Sequence, residues 1–225
     1  MTYQEKMEAI IRIQKSDIEK LDENLKTILG LLSDDKESTI RSGVAATLID
    51  FVDDFSKNIL MKLANDKDYL VRVEAVDSLG YFHFQDVYKL LKKSINDSHY
   101  LVRGYAIYSM TCVGIKIQIK HNLIIQIINN SLEKEKNLFV KLSCYHSLYD
   151  LGHEKCFHNI ISIFKSKNYR NRCAVINVLN HILSNENYLE MKKFLIKNID
   201  KESTNAVLSS MKNLLDRIEK NYVII

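Results

Sequence analysis

The chain has 225 residues, 46% of them hydrophobic and 27% charged, with a net charge of +4 and a pI near 8.7. That hydrophobic content excludes a disordered chain, and the mild basic excess permits nucleic acid as a partner without requiring it. With no proline, no tryptophan and six glycines, the chain lacks the turn residues on which β-rich folds depend, and the reading is all-α.

Residues 1–64 carry 9 Lys/Arg against 12 Asp/Glu, and the remainder carries 23 against 16. The basic character is therefore a property of the C-terminal two-thirds. No stretch approaches the roughly 20 apolar residues of a membrane span, and the amphipathic start, MTYQEKMEAIIRIQK, lacks the apolar core of a signal peptide. The four cysteines, Cys112, Cys144, Cys156 and Cys173, fall inside apolar helical patterns, where thiols act as small hydrophobes. These features predict a cytoplasmic, reducing setting.

In chain order, residues 1–32 read as an N-terminal capping pair of helices. The capping-box spacing of Ser16 and Glu19 predicts that the second of them opens there, over DIEKLDENLKTILGLL. From residue 33 a repeat takes over. The motif YLVR occurs at Tyr69–Arg72 and again at Tyr100–Arg103, and Arg41 stands 31 residues before Arg72. After an insertion of seven residues Lys141 takes the same place, and Arg172 follows 31 later. Just before each anchor lie Ile40, Val71, Val102 and Val140. Val44, Ala75, Ala106 and Cys144 come three later; Leu48, Leu79, Met110 and Leu148 come seven later. Positions −1, +3 and +7 form one face of an α-helix.

A second apolar helical stretch follows each first helix: 56–64, 84–95, 121–132, 156–166 and 187–199. One such hairpin cannot cover its own apolar face, so paired helices at this period predict a stack of repeats. Residues 200–225 supply a last capping helix and an apolar end, from Tyr222 to Ile225, that packs back on it. The expectation is a single domain over 1–225 with repeats at 33–199, an α-α superhelix of about six to seven helix pairs.

Six residues before each anchor stands an acid: Asp35 before Arg41, Asp66 before Arg72, Asp97 before Arg103. Glu135 keeps the spacing before Lys141, and Ser166 loses the acid before Arg172. The segment DKDYLVRVEAVDSLG (66–80) resembles HEAT repeats of the short bacterial kind found in phycobilisome-lyase-like proteins, whose pattern is roughly D-x-x-x-x-V-R-x-x-A-x-x-x-L-G. DSHYLVRGYAIYSM (97–110) is similar. The resemblance implies an α-solenoid in which acid and arginine form a ladder from one repeat to the next. On that ground Asp35, Arg41, Asp66, Arg72, Asp97 and Arg103 are structural. An aspartate at a helix start also suits the positive end of the dipole, and a guanidinium can bind it bidentately.

The cluster CYHSLYDLGHEKCFH offers Cys144, His146, His153, Cys156 and His158 as zinc ligands. Cys144, however, holds the core slot of Ala75 and Ala106, and no recognised ligand-pair spacing is present. No metal site and no cofactor is expected. Asp50, Asp53 and Asp54 form an acidic patch, read first as a solvated turn and otherwise as a contact for a basic partner. There is no nucleophile elbow, no phosphate loop and no H-E-x-x-H motif, so the chain is not expected to be an enzyme.

In solenoids of this kind the second helices are expected to line the concave side. Their exposed row predicts partner binding by Tyr88, Lys89, Lys92 and Lys93, then Gln126, Asn129 and Asn130, then Ser162 and Lys165, then Lys193 and Lys197. Tyr88 would be the aromatic anchor. The function that follows is a non-enzymatic protein-binding module, an adaptor or inhibitor. The architecture also resembles bacterial immunity proteins that neutralise a toxin. The alternative is nucleic-acid binding, through a resemblance to HEAT-like alkylpurine DNA glycosylases, although the aromatic wall of that family includes a tryptophan this chain lacks. Chromophore attachment of the lyase type has no supporting residue.

Overall fold

A computed structural model describes residues 1–222; residues 223–225, and with them the predicted packing of the apolar end, lie outside the described residues. Among the described residues the chain is all-α, with thirteen α-helices, two short 3-10 turns and no strand. It forms two compact units, Met1–Glu135 and Lys136–Ile225.

Unit 1 holds α1 (Tyr3–Gln14), α2 (Glu23–Leu32), α3 (Ser38–Leu48), α4 (Asp54–Leu63), α5 (Tyr69–Ser78), α6 (Gln85–Ser94), α7 (Tyr100–Lys116) and α8 (His121–Lys134). Unit 2 holds α9 (Leu138–Asp150), α10 (Cys156–Ser162), α11 (Tyr169–Ile182), α12 (Tyr188–Ile199) and α13 (Asn205–Tyr222). The first helices of the repeats are α3, α5, α7, α9 and α11, and every predicted core position on the first four is at most 5% exposed. The seven-residue insertion lies in unit 1, where α7 and α8 reach 17 and 14 residues against 10 each in α5 and α6.

The N-terminal pair starts differently from its predicted boundary. Ser16 Oγ donates to the Ile13 carbonyl at 2.6 Å and closes α1, so it is not free to cap a following helix. α2 opens at Glu23 instead, with Asp22 accepting from the Leu25 N–H at 2.8 Å. A capping box does exist, at Thr2 and Glu5 on α1. Gly152, at φ +92°, ends α9 in the left-handed conformation that favours glycine.

The stack is held by arginine. Arg41 donates through Nε and Nη2 to both oxygens of Asp66, and Arg72 does the same to Asp97, Arg103 to Glu135 and Arg172 to Glu202. These eight bonds span 2.6–3.2 Å. Each Nη1 turns back to the carbonyls six and five residues before it, at 2.7–3.3 Å. A guanidinium thus ties its own turn to the next repeat's carboxylate, using the planar donor fork that lysine lacks.

The acids do not cap helices directly. In unit 1 Asp35, Asp66 and Asp97 accept from the backbone N–H two residues on, as does Glu202 in unit 2, at 2.8–3.0 Å. That next-but-one residue is the helix N-cap itself at Glu37, Asp68 and His99. Two features of the ladder departed from the repeat pattern. Lys6 of α1 pairs with Asp35 and adds a rung, and Lys141 has no ion pair among the described residues, since Ser166 stands where its acid would be.

Burial alone would raise the Asp66 and Asp97 carboxyls, but the guanidinium bonds and backbone N–H hold both below the usual range. Arg172 brings Glu202 down to about 2. Replacing Arg72 with Met is expected to lower stability in urea by about 2–4 kcal/mol, because a part-buried carboxylate loses its counter-ion. Lys141→Met should change it by less than about 0.5 kcal/mol; equal losses would show that the rungs are dispensable. The Glu202 carboxylate is depressed on folding, so its contribution is present above its ordinary 4.5 and lost as pH falls toward about 2. The stability gap between the wild type and Glu202→Gln should close across that window in acid denaturation.

Candidate functional site

Ten of the eleven residues of the predicted second-helix row are exposed: Lys89, Lys92 and Lys93 on α6, Gln126, Asn129 and Asn130 on α8, Ser162 and Lys165 after α10 begins, and Lys193 and Lys197 on α12. The exception is Tyr88, which is 7% exposed. Its ring lies against Gly114 of α7, where a Cβ would come within 2.9 Å of Tyr88 Cε2. Burial raises its phenol pKa. The missing side chain at Gly114 makes a slot for the ring, so Tyr88 is a core residue and cannot be the aromatic anchor of a surface.

A cleft of about 480 Å³ opens beside the row, lined by Asp66, Arg72, Lys93, Asn96 and Asp97 among others. Its charged floor is the Arg72–Asp97 rung, whose groups already satisfy one another. The acidic patch likewise has local employment, with Asp53 capping α4 at the Ser56 N–H and Asp54 3.0 Å from Lys57.

The packing favours another surface. In unit 1 the first helices α3, α5 and α7 lie closely side by side, whereas α4 and α6 meet only lightly. In this unit the closely packed row is therefore that of the first helices. The face they present lies at +2, +5 and +9 from each anchor, opposite the −1, +3, +7 core stripe. In unit 1 that puts Glu74 and Asp77 of α5 beside Tyr105 of α7.

Burial raises the Glu74 carboxyl. Burial, with the Glu74 charge adding to it, pushes Asp77 up to about 6. The Tyr105 phenol rises through burial and through the charges of Asp77 and Glu74. Neither carboxylate has an ion-pair or hydrogen-bond partner among the described residues, so both are desolvated charges without compensation. The sequence did carry a signal for them, the positions two and five past the arginine, which an inspection of core positions passes over.

In unit 2 the same register yields His146, Asp150 and, from the following first helix, His181. Their ligand atoms all lie within 4.8 Å of one another. His146 Nε2 is 3.6 Å from Asp150 Oδ2, and the two imidazoles meet edge to face at 5.0 Å between centroids. Burial, with the His181 charge, lowers the His146 pKa to about 3, and burial raises Asp150 to about 6 despite His181. Of the five candidate ligands weighed and set aside in the sequence, only His146 belongs here. Cys144 is in the core, His153 is an exposed turn residue, Cys156 starts α10, and His158 points to Glu190 at 3.7 Å. No disulfide joins the four cysteines, and of them only Cys144 is fully buried.

Stacked helix pairs joined by arginine–carboxylate rungs define a class: an all-α protein of HEAT-like helical repeats. No family model matches the chain, and no curated protein matches it. Among solved structures it is similar to the complex of CpcE and CpcF of phycocyanin lyase from Nostoc, at 14% identity and a TM-score of 0.61 over 95% of this chain and 94% of that one. Human deoxyhypusine hydroxylase is similar at 14% identity and a TM-score of 0.46, over 98% and 92%. An archaeal HEAT-like repeats protein from Thermococcus onnurineus is similar at 15% and 0.41, over 97% and 94%. The lyase likeness shows a shared fold, and the resemblance seen in the repeat motif is thereby met by the three-dimensional one.

Asp77 gives a direct test of the unit 1 face. Its carboxyl is raised on folding, so the native state is penalised above about pH 6, and the penalty fades as pH falls toward the unfolded value of 3.8. Asp77→Asn should raise stability at pH 7.5 by about 1–3 kcal/mol, with the gain vanishing near pH 4. A variant less stable than the wild type at pH 7.5 would mean that Asp77 has a stabilising partner.

Proposed function

We propose that this chain is a protein-binding module without catalytic chemistry of its own, and that unit 1 takes a basic segment of its partner on the face of α5 and α7. The observation carrying this reading is the pair Glu74 and Asp77, two desolvated carboxylates with no counter-ion among the described residues. Such charges weaken the free protein, and a Lys or Arg from a partner would restore the missing compensation. Tyr105 beside them offers the amphipathic ring common at binding hot spots. The Nostoc phycocyanin lyase chains that share the fold occur as a complex of two proteins, a precedent for this use of the architecture.

An adaptor or an inhibitor would both work in this way. The inhibitor form, a bacterial immunity protein neutralising a toxin in the cytoplasm, requires that the captured partner lose its activity when bound. The exposed lysines of α6 and the polar residues of α8 are the competing surface within unit 1, and Ser162, Lys165, Lys193 and Lys197 the competing residues within unit 2. Nucleic acid is the second reading because those lysines suit a phosphate backbone, while the acidic face of α5 repels one.

Affinity capture from lysate at low and moderate salt compares three baits: the wild type, Glu74→Gln/Asp77→Asn, and Lys89→Glu/Lys93→Glu/Lys165→Glu. The expected result is one stoichiometric protein on the wild type and the lysine variant, and its loss on the acid-to-amide variant. Loss on the lysine variant alone would transfer the binding surface to the second helices. A nucleic-acid complex that dissolves with modest salt would replace the reading.

A further inference from the structure

We propose that His146, Asp150 and His181 of unit 2 form a binding site for a late first-row divalent metal ion, with zinc the ion to test. The site belongs to unit 2 alone, and its argument does not depend on the partner face proposed for unit 1.

The geometry starts from the helical repeat. His146 and Asp150 are one turn apart on α9, so both side chains leave the same face. Asp150 and His181 occupy equivalent places, nine residues past Lys141 and Arg172, on successive first helices that pack together. Three donors from two rigid elements therefore converge, with all their ligand atoms inside a 4.8 Å span.

The distances suit an ion better than direct pairing. The 3.6 Å between His146 Nε2 and Asp150 Oδ2 exceeds a hydrogen bond. Two ligand bonds of about 2.0–2.1 Å to atoms at that separation subtend roughly 120°, close to a tetrahedral site. His146 is held in place by burial, while His181 and Asp150 lie on the exposed side, where a rotation can draw them to the shorter separation an ion requires. Two imidazoles and one carboxylate are a zinc-type donor set that leaves the fourth position to water.

The placement along the helices gives a second, independent argument. Asp150 is the last residue of α9 and His181 the last but one of α11. Helix C-termini carry partial negative charge, which disfavours a carboxylate there and favours a cation. Asp150 is on the wrong end of its helix for an unassisted acid. A divalent ion between the two helix ends reverses that penalty.

The test is calorimetric titration of zinc into the tag-free full chain at neutral pH, paired with cobalt absorption spectroscopy. One zinc per chain should bind, cobalt should give the intense visible bands of a tetrahedral site, and zinc should raise the melting temperature. His181→Ala and Asp150→Asn, at exposed positions whose replacement leaves helicity intact by circular dichroism, should each weaken binding by at least about tenfold. His153→Ala/His158→Ala should leave it unchanged. Absence of saturable binding to the wild type overturns the proposal. Binding that survives both ligand substitutions and disappears with the His153/His158 variant also overturns it, because the ion would then be held by surface histidines.

Discussion

The rest of the structure depends on the bidentate bond between an arginine and the acid of the following repeat. A helical hairpin of this size has one apolar face and no means of closing it alone, so its neighbours must arrive in register. Hydrophobic contacts between the −1, +3 and +7 stripes are strong but non-directional. The guanidinium adds direction. Its Nη1 is fixed by two carbonyls of its own turn, leaving Nε and Nη2 aimed at a single place where the next carboxylate must be. At Asp66 and Asp97 that carboxylate in turn accepts the N–H of the coming N-cap, so these rungs also position the start of the next first helix.

This explains why Lys141 is not an equivalent of its aligned arginines. An ammonium can supply charge but cannot bridge two carbonyls and a carboxylate in one plane. The neighbouring acid is missing as well, Ser166 standing in its place. The loss of both partners together is what a paired interaction demands, because either one alone would be left buried without its counterpart.

The ladder was legible in the sequence because it is written in residue identity at fixed spacing. The core was legible because burial follows helical periodicity. Neither device reports on three other things. The capping box at Ser16 and Glu19 had the right spacing, but Ser16 was already bound to the Ile13 carbonyl. Tyr88 looked exposed on a helical wheel, which represents one helix and not the glycine on the next. The close packing of the first helices was not legible either, because which helices approach closely depends on side-chain volume across the stack. Once that row is α5 and α7, Glu74, Asp77 and Tyr105 stand out by position alone, and His146, Asp150 and His181 follow at the same register in unit 2.

The two sets of residues share a physical logic although they lie in different units. Each places ionisable groups on a face that successive first helices share, and there packing removes part of the water around the carboxylates. A carboxylate in such a place raises the energy of the free protein unless a positive charge reaches it. On a loosely packed surface solvent would screen the same residues, and their charge would select no particular occupant. Along the first helices the fold supplies desolvation, the ladder supplies rigidity, and what remains unsatisfied is positive charge: a basic side chain in unit 1, and in unit 2 an ion small enough to fit among three ligands. A scaffold stabilised by directional rungs can carry these local penalties, because breaking the stack would expose far more apolar surface than relieving one carboxylate would recover.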